Sequence, residues 1–343
     1  METLAYNTSL ALTRQFGRSG LMQLGRSNAN LLWWIPLTAI RLVWDVILRR
    51  SRSYLFGEAL TWALFSWIPR AAGIPALTMV CGLDITYSNP AYRAVVHRAL
   101  RKSPRVLAIS RATLGQAIEV GVDPDRGYVI TMGLEAPQSN VVPRDEARLR
   151  VLKDNDLPAD AILLLTTGRL VKRKGVAWFV REVMPLLGSR FHYLVVGTGP
   201  DHDTILAAAE AGGVADRVHL LGRVSDAARD SLLSGVDLFV QPNIPVSHDM
   251  EGFGLVVVES AQAGLLTVAA DLEGLRDAVR PGVTGYTVAS GDAPAWAKTL
   301  TELSARPDRV PLADGFRQTA LEVYSLDAMG AELRQHIEAI ESR

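Results

Sequence analysis

Asp249-Met250-Glu251-Gly252-Phe253-Gly254-Leu255-Val256-Val257-Val258-Glu259-Ser260-Ala261-Gln262-Ala263-Gly264 sets two carboxylates, Glu251 and Glu259, around a Gly-Phe-Gly turn and an apolar run. The pattern predicts a loop that becomes a helix. Gly252 and Gly254 let the backbone turn tightly and approach a ligand closely. The N–H groups from Phe253 to Val256 then lie unpaired at a helix N-terminus, whose partial positive charge suits a phosphate. Glu259 follows Glu251 by eight positions, about two helical turns, so both carboxylates can face one side. Carboxylates accept hydrogen bonds from paired hydroxyls such as those of a sugar or ribose. Taken alone, the stretch reads equally well as an ordinary capped surface helix, and its context decides.

Around it, residues 161–167, 191–196, 217–221, 237–241 and 266–270 read as short apolar strands separated by helical stretches. That alternation predicts a parallel sheet in a doubly wound α/β domain, whose ligands bind beyond the carboxyl ends of the strands. The polar motifs follow strands. Gly168-Arg169-Leu170-Val171-Lys172-Arg173-Lys174-Gly175 comes directly after the first of them, and Arg169 and Lys174 would place two cations at a strand end. Arginine offers a fork for phosphate oxygens and lysine a mobile point charge; a solvated basic turn is the plainer reading. Gly197-Thr198-Gly199-Pro200 follows the second strand and lacks the third glycine of a dinucleotide fingerprint. Asp123-Pro124-Asp125 and Asp201-His202-Asp203 look like metal-binding pairs but read more simply as loop and cap residues. The six histidines show no ligand spacing, so no metal is expected.

In the first half, strands are expected at 76–81, 105–110 and 128–131, and helices at 1–17, 31–49, 58–68 and 91–101. Residues 31–49 are apolar but carry Arg41, Asp45 and Arg49 at i, i+4 and i+8, which predicts an amphipathic helix rather than a membrane span. Pro36 is expected near its start or at a kink. The tryptophans of 58–68 read as core, with a membrane-interface role as the minority reading. Polar residues 137–160 read as an interdomain linker with a short helix, and 326–340 as a final helix.

The length of 343 residues predicts two domains. We expect an N-terminal Rossmann-like domain over 1–150, a C-terminal one over 151–320 and a terminal helical segment over 321–343. With 48% hydrophobic and 21% charged residues the composition is that of a soluble globular protein, and the single cysteine, Cys81, excludes an intramolecular disulfide and fits the cytoplasm. Zero net charge conceals an asymmetry: residues 1–150 hold 18 Lys+Arg against 10 Asp+Glu, and the remainder 18 against 26. A basic first half suits an anionic partner, whether a membrane surface such as the inner face of a cell membrane, a phospholipid or nucleic acid, without excluding an ordinary difference between two halves.

With these motifs in this order, the chain resembles the retaining, nucleotide-sugar-dependent glycosyltransferases of family four (glycosyl transferases group 1), which have the GT-B fold. The Glu251-x7-Glu259 pattern around Gly252-Phe253-Gly254, preceded by Gly168-Arg169 and Lys174-Gly175, carries the resemblance. It implies two Rossmann-like domains facing a cleft, with the last helix crossing back to the first domain. It implies that Arg169 and Lys174 bind a donor diphosphate and that Glu251 binds donor-sugar hydroxyls, the three being the candidate catalytic residues. The amides of Phe253, Gly254 and Leu255 would meet sugar and phosphate, and Glu259 the ribose. Gly222, Arg223 and Val224 would border the base, with Gly168, Gly197 and Gly199 lining the donor site. The implied donor is a nucleotide diphosphate sugar used as substrate, with no cofactor, no metal and no nucleic acid partner. The acceptor would be a saccharide or a lipid.

Three features depart from the family. Its members open with a strand and a glycine-rich loop before Gly-Gly-Met-Glu-Thr, whereas this sequence starts at Met1-Glu2-Thr3, as though that strand were absent. The family's His-Gly-x-Asp reads Cys81-Gly82-Leu83-Asp84, leaving Cys81, Gly82 and Asp84 as a first-domain candidate site. Its Pro-Asn-Gly reads Thr131-Met132-Gly133. A nucleotide-sugar-binding pseudo-transferase and a sugar-nucleotide epimerase are the alternatives.

Overall fold

A computed structural model describes residues 2–17, 19–22, 31–137 and 143–342. Met1 and residues 138–142 of the expected linker lie outside the described residues. The chain divides into two compact units, one of residues 1–135 with 324–343 and the other of residues 136–323.

The first unit is built on four parallel strands in the order β1 (Tyr54–Phe56), β2 (Ala76–Val80), β3 (Val106–Ala108), β4 (Gly127–Val129). Strands β2 and β3 are buried throughout, as a parallel sheet covered on both faces requires. Trp62 is fully buried against Phe56, ring centroids 5.6 Å apart, and its indole N–H donates to the Ala99 carbonyl at 2.9 Å. The expected single helix over 58–68 is instead two, Ala59–Phe65 and Trp67–Ala71, because Pro69 has no N–H with which to continue the first. Trp67 is exposed on the second, so only one of its two tryptophans is core.

The first described helix, Glu2–Phe16, packs along the last, Leu326–Glu341. Gly330 permits this closeness: a Cβ there would sit 2.9 Å from the Ala11 carbonyl oxygen. The same terminal helix holds the Thr131-Met132-Gly133 turn, since Glu332 accepts from the Thr131 N–H at 2.7 Å and from its hydroxyl at 3.0 Å.

The second unit has six parallel strands, β5 (Ile162–Thr167), β6 (Phe191–Val196), β7 (Val218–Gly222), β8 (Leu238–Gln241), β9 (Leu266–Ala270) and β10 (Tyr286–Val288), in the order β10-β9-β8-β5-β6-β7. From β5 the chain winds outward through β6 and β7, then returns to β5's other side at β8. The β5/β8 boundary is thus a topological switch point, where a crevice opens beyond the strand ends. Helix Arg144–Asp154 belongs to this unit, so the boundary falls at 135/136 rather than at 150. The reason is Arg148, which donates to buried Asp237 at 3.0 Å and to the Ala161 carbonyl at 2.6 Å.

Candidate functional site

The chain leaves β5 through Gly168–Gly175 and β8 through Pro242–Gly254, so the switch point brings the basic turn and the acidic loop together. Gly175 makes the approach possible. It adopts φ +68°, and a Cβ there would lie 1.9 Å from the Pro242 carbonyl oxygen. The Ile244 N–H then donates to the Arg173 carbonyl at 3.0 Å.

Glu251 and Lys174 are both 8% exposed. Lys174 Nζ lies 2.7 Å from Glu251 Oε2, the Asn243 amide donates to the same oxygen at 3.0 Å, and Arg173 Nε stands 3.6 Å away. Arg173 also pairs with Asp249 at 2.9 Å. The Glu251 N–H donates to Glu273 Oε2 at 2.6 Å, and its carbonyl accepts from the Gly274 N–H at 3.1 Å. Burial pushes the Glu251 carboxyl up, but Lys174, Arg173 and Asn243 together hold it below its ordinary value. Glu273 is raised by burial and by the neighbouring carboxylates of Glu251 and Asp249, although the Glu251 N–H and Arg173 oppose this. Glu273 adopts φ +48°, a strained conformation for a residue with a side chain, and such strain collects at functional sites.

Gly254, at φ +91°, is the N-cap of the helix Leu255–Gln262 and contributes no side-chain cap. Phe253 and Gly254 are buried, while Leu255 and Val256 are half-buried in the first turn, which follows the Glu251 loop directly. Glu259 is half-buried on this helix. Burial raises its carboxyl and the charge of Arg229 only partly offsets this.

The other sequence candidates are placed as follows. The turns after β5, β6 and β7 are stitched side by side, with the Gly168 N–H on the Val196 carbonyl at 2.9 Å and the Gly197 N–H on the Gly222 carbonyl at 2.7 Å. Gly199 packs on the Leu170 carbonyl. Arg223 is exposed and Val224 half-buried beyond β7. Arg169 is exposed and has no ion pair among the described residues, so it is not brought into the Lys174–Glu251 cluster. In the first unit, Asp84 is buried and consumed by backbone donors, accepting from the Cys81 N–H at 2.9 Å and the Ala59 N–H at 3.0 Å. Gly82 turns the chain between them at φ +90°, and burial together with Asp84 and Glu58 pushes the Cys81 thiol well up, leaving it a poor nucleophile. Asp123 caps the turn at Asp125, and Asp203 pairs with His202.

Asn243, Arg173 and Glu273 were not singled out from the sequence as site residues. Asn243 lies two residues beyond β8 and Glu273 three beyond β9, so position relative to a strand end was the available signal.

Two parallel-sheet α/β units, the second with its polar cluster at a switch point, are the architecture of the GT-B fold. The chain matches Anabaena Alr3699/HepE, solved in complex with UDP-glucose, with a TM-score of 0.73 over 98% of this chain and 96% of that one, at 15% identity. Residues 161–306, within the second unit, match the model of the family Glycosyl transferases group 1. The chain is 36% identical over 199 residues to the D-inositol 3-phosphate glycosyltransferase of Thermobispora bispora, covering 54% of this chain and 44% of that protein. It is 36% identical over 110 residues to the phosphatidyl-myo-inositol mannosyltransferase of Mycobacterium leprae, covering 32% and 28% respectively. The matched stretches thus span less than half the length of these two curated relatives.

Proposed function

We propose that the protein is a retaining glycosyltransferase that moves a hexose from a nucleotide diphosphate sugar to a hydroxyl of a saccharide or lipid acceptor. The observation that carries the reading is the buried Lys174–Glu251 pair at the switch point, beside the uncapped helix start at Leu255. The family match and the sugar nucleotide bound by a protein of the same fold support it.

In this reading the donor diphosphate lies over the first turn of Leu255–Gln262, where backbone N–H groups and the helix dipole favour an anion. Lys174 and the exposed Arg169 supply positive charge. Glu251, kept ionised, accepts hydrogen bonds from donor-sugar hydroxyls, and Glu259 accepts from the ribose. The anomeric C–O bond to the diphosphate breaks and its electron pair leaves on the phosphate oxygen. The acceptor oxygen forms the new bond on the same face, and its proton passes to that departing oxygen. Preorganised cations oppose the developing charge, and no metal or cofactor is assigned a role. Cytoplasmic residence belongs to the same proposal.

The test is release of nucleoside diphosphate from UDP-glucose and GDP-mannose in the presence of saccharide and phosphoinositide acceptors, with products identified by mass spectrometry. Acceptor-dependent release that Lys174→Ala and Arg169→Ala each abolish in folded protein is expected. Wild-type turnover in either variant would overturn the diphosphate role. Donor binding without transfer or hydrolysis would make the protein a pseudo-transferase, and isomerised donor formed without acceptor an epimerase.

A further inference from the structure

We propose that the outward face of the helix Leu31–Ile47 is a docking surface for an anionic lipid bilayer, on which the helix lies in the interfacial plane. The inference is independent of the sugar-nucleotide reading, since it concerns the other unit and a different measurement.

The sequence predicts an amphipathic helix here, with its polar stripe toward water. The structure leaves Arg41 and Arg49 exposed and Asp45 half-buried, and shows two apolar faces rather than one. Leu42 is buried, Trp34 packs edge-on against Phe65 at 5.8 Å, and Ile35, Ala39 and Val46 join the same core, so one apolar face is used inside the unit. The opposite face is apolar as well and faces solvent: Trp33 is 76% exposed, Leu37 63%, Ile40 56%, Trp44 57% and Ile47 63%. At 100° per residue these five fall within one arc of about 80°. Arg41 marks its edge, and Asp45 turns half inward. Exposed apolar residues are ordinary when scattered, but a continuous stripe two tryptophans long marks an interaction site.

The charges around the stripe identify the occupant. Arg41, Arg49, Arg50 and Arg52 are all exposed, whereas the one acid between residues 31 and 53, Asp45, is engaged by Arg50 at 3.8 Å. The neighbouring helix Trp67–Ala71 packs on this one and adds exposed Trp67 and Arg70. Tryptophan favours headgroup depth and arginine pairs with lipid phosphate, so apolar stripe, aromatic rings and cationic edge match the layers of an anionic bilayer surface. No helix among the described residues is long and apolar enough to cross a membrane, so the fit is to lying on the surface. A second copy is less well matched, because two such faces in a symmetric contact would bring arginine against arginine.

The test is flotation of the full chain with phosphatidylcholine vesicles, with and without 30 mol% phosphatidylglycerol (roughly a natural anionic fraction), at low and high salt. The wild type is expected to float with anionic vesicles at least tenfold more than with neutral ones, and to be released by salt. Trp33→Ser with Trp44→Ser should weaken anionic-vesicle binding at least tenfold while leaving the melting temperature unchanged, because both side chains are exposed. A wild type that fails to float with anionic vesicles at low salt would overturn the proposal, as would undiminished flotation of the double variant. A concentration-dependent dimer abolished by the double variant, without vesicle binding, would assign the face to a second copy instead. Arg49→Glu with Arg50→Glu, which leaves the apolar stripe whole, should remove the preference for anionic vesicles.

Discussion

Lys174 Nζ sits 2.7 Å from Glu251 Oε2, and the two residues reach each other from loops that follow strands β5 and β8, adjacent in the sheet but separated by two strands in sequence. The pair is buried, and Lys174 is the foremost of the groups that hold the Glu251 carboxyl below its ordinary value.

Lys174→Met should therefore destabilise the second unit by about 3 kcal/mol at neutral pH, because it leaves Glu251 charged in a buried site with only Arg173 and Asn243 to compensate. Glu251 is held below its ordinary value of 4.5, so its contribution to wild-type stability is present above 4.5 and is lost as pH falls through its lower folded value. In the variant Glu251 protonates more readily. The gap between the two proteins, measured by urea denaturation, should narrow toward pH 4.

Glu259 has the opposite sign. Its carboxyl is raised above 4.5 by burial, so the folded state is favoured at low pH and that advantage is lost as pH rises through the raised value. Glu259→Gln should melt at a higher temperature than wild type at pH 8, with the difference closing toward pH 4. A carboxylate kept at a cost to stability fits a ligand-binding role, so the same variant should bind a sugar nucleotide at least tenfold more weakly, roughly one lost charged hydrogen bond. Equal melting temperatures at pH 8 would show that the charge is not held at a cost.

Gly175→Ala should be among the most damaging small changes in the chain. The added methyl would meet the Pro242 carbonyl and the backbone would be strained at φ +68°. A loss of roughly 2–4 kcal/mol is expected from strain and clash together. Unfolding followed by circular dichroism checks it.

At Glu273, comparison of Gly and Ala separates backbone from side chain. Both remove the acceptor of the Glu251 N–H, but only glycine is unstrained at φ +48°. Glu273→Gly should be about 1 kcal/mol more stable than Glu273→Ala. If the alanine variant is the more stable, the strained backbone assigned to residue 273 is wrong.

The second unit was legible because its strands are continuous apolar runs and each polar motif follows one directly. Glu251 and Lys174 could be named from local spacing alone. Their partners could not: Asn243 and Glu273 matter because β8 lies beside β5 and β9 beside β8, an order that pairing decides and local sequence does not display. Strands β1 and β10, three residues each, are too short to show alternation. The helix Leu31–Ile47 is legible as amphipathic, but the apolar face it turns to solvent is not. Apolar residues at nearly every angle conceal which side is packed, and Arg41 stands at the edge of the exposed arc while Asp45 turns half inward.

The Lys174–Glu251 cluster is proposed as a nucleotide diphosphate sugar site. Calorimetric titration of the intact chain with UDP-glucose and with GDP-mannose tests that claim most directly. Saturable binding of at least one of them is predicted, weakened at least tenfold by Lys174→Met in protein that remains folded, on the scale of one charge-assisted hydrogen bond. No saturable binding of either nucleotide sugar, or an affinity that Lys174→Met leaves unchanged, would contradict it.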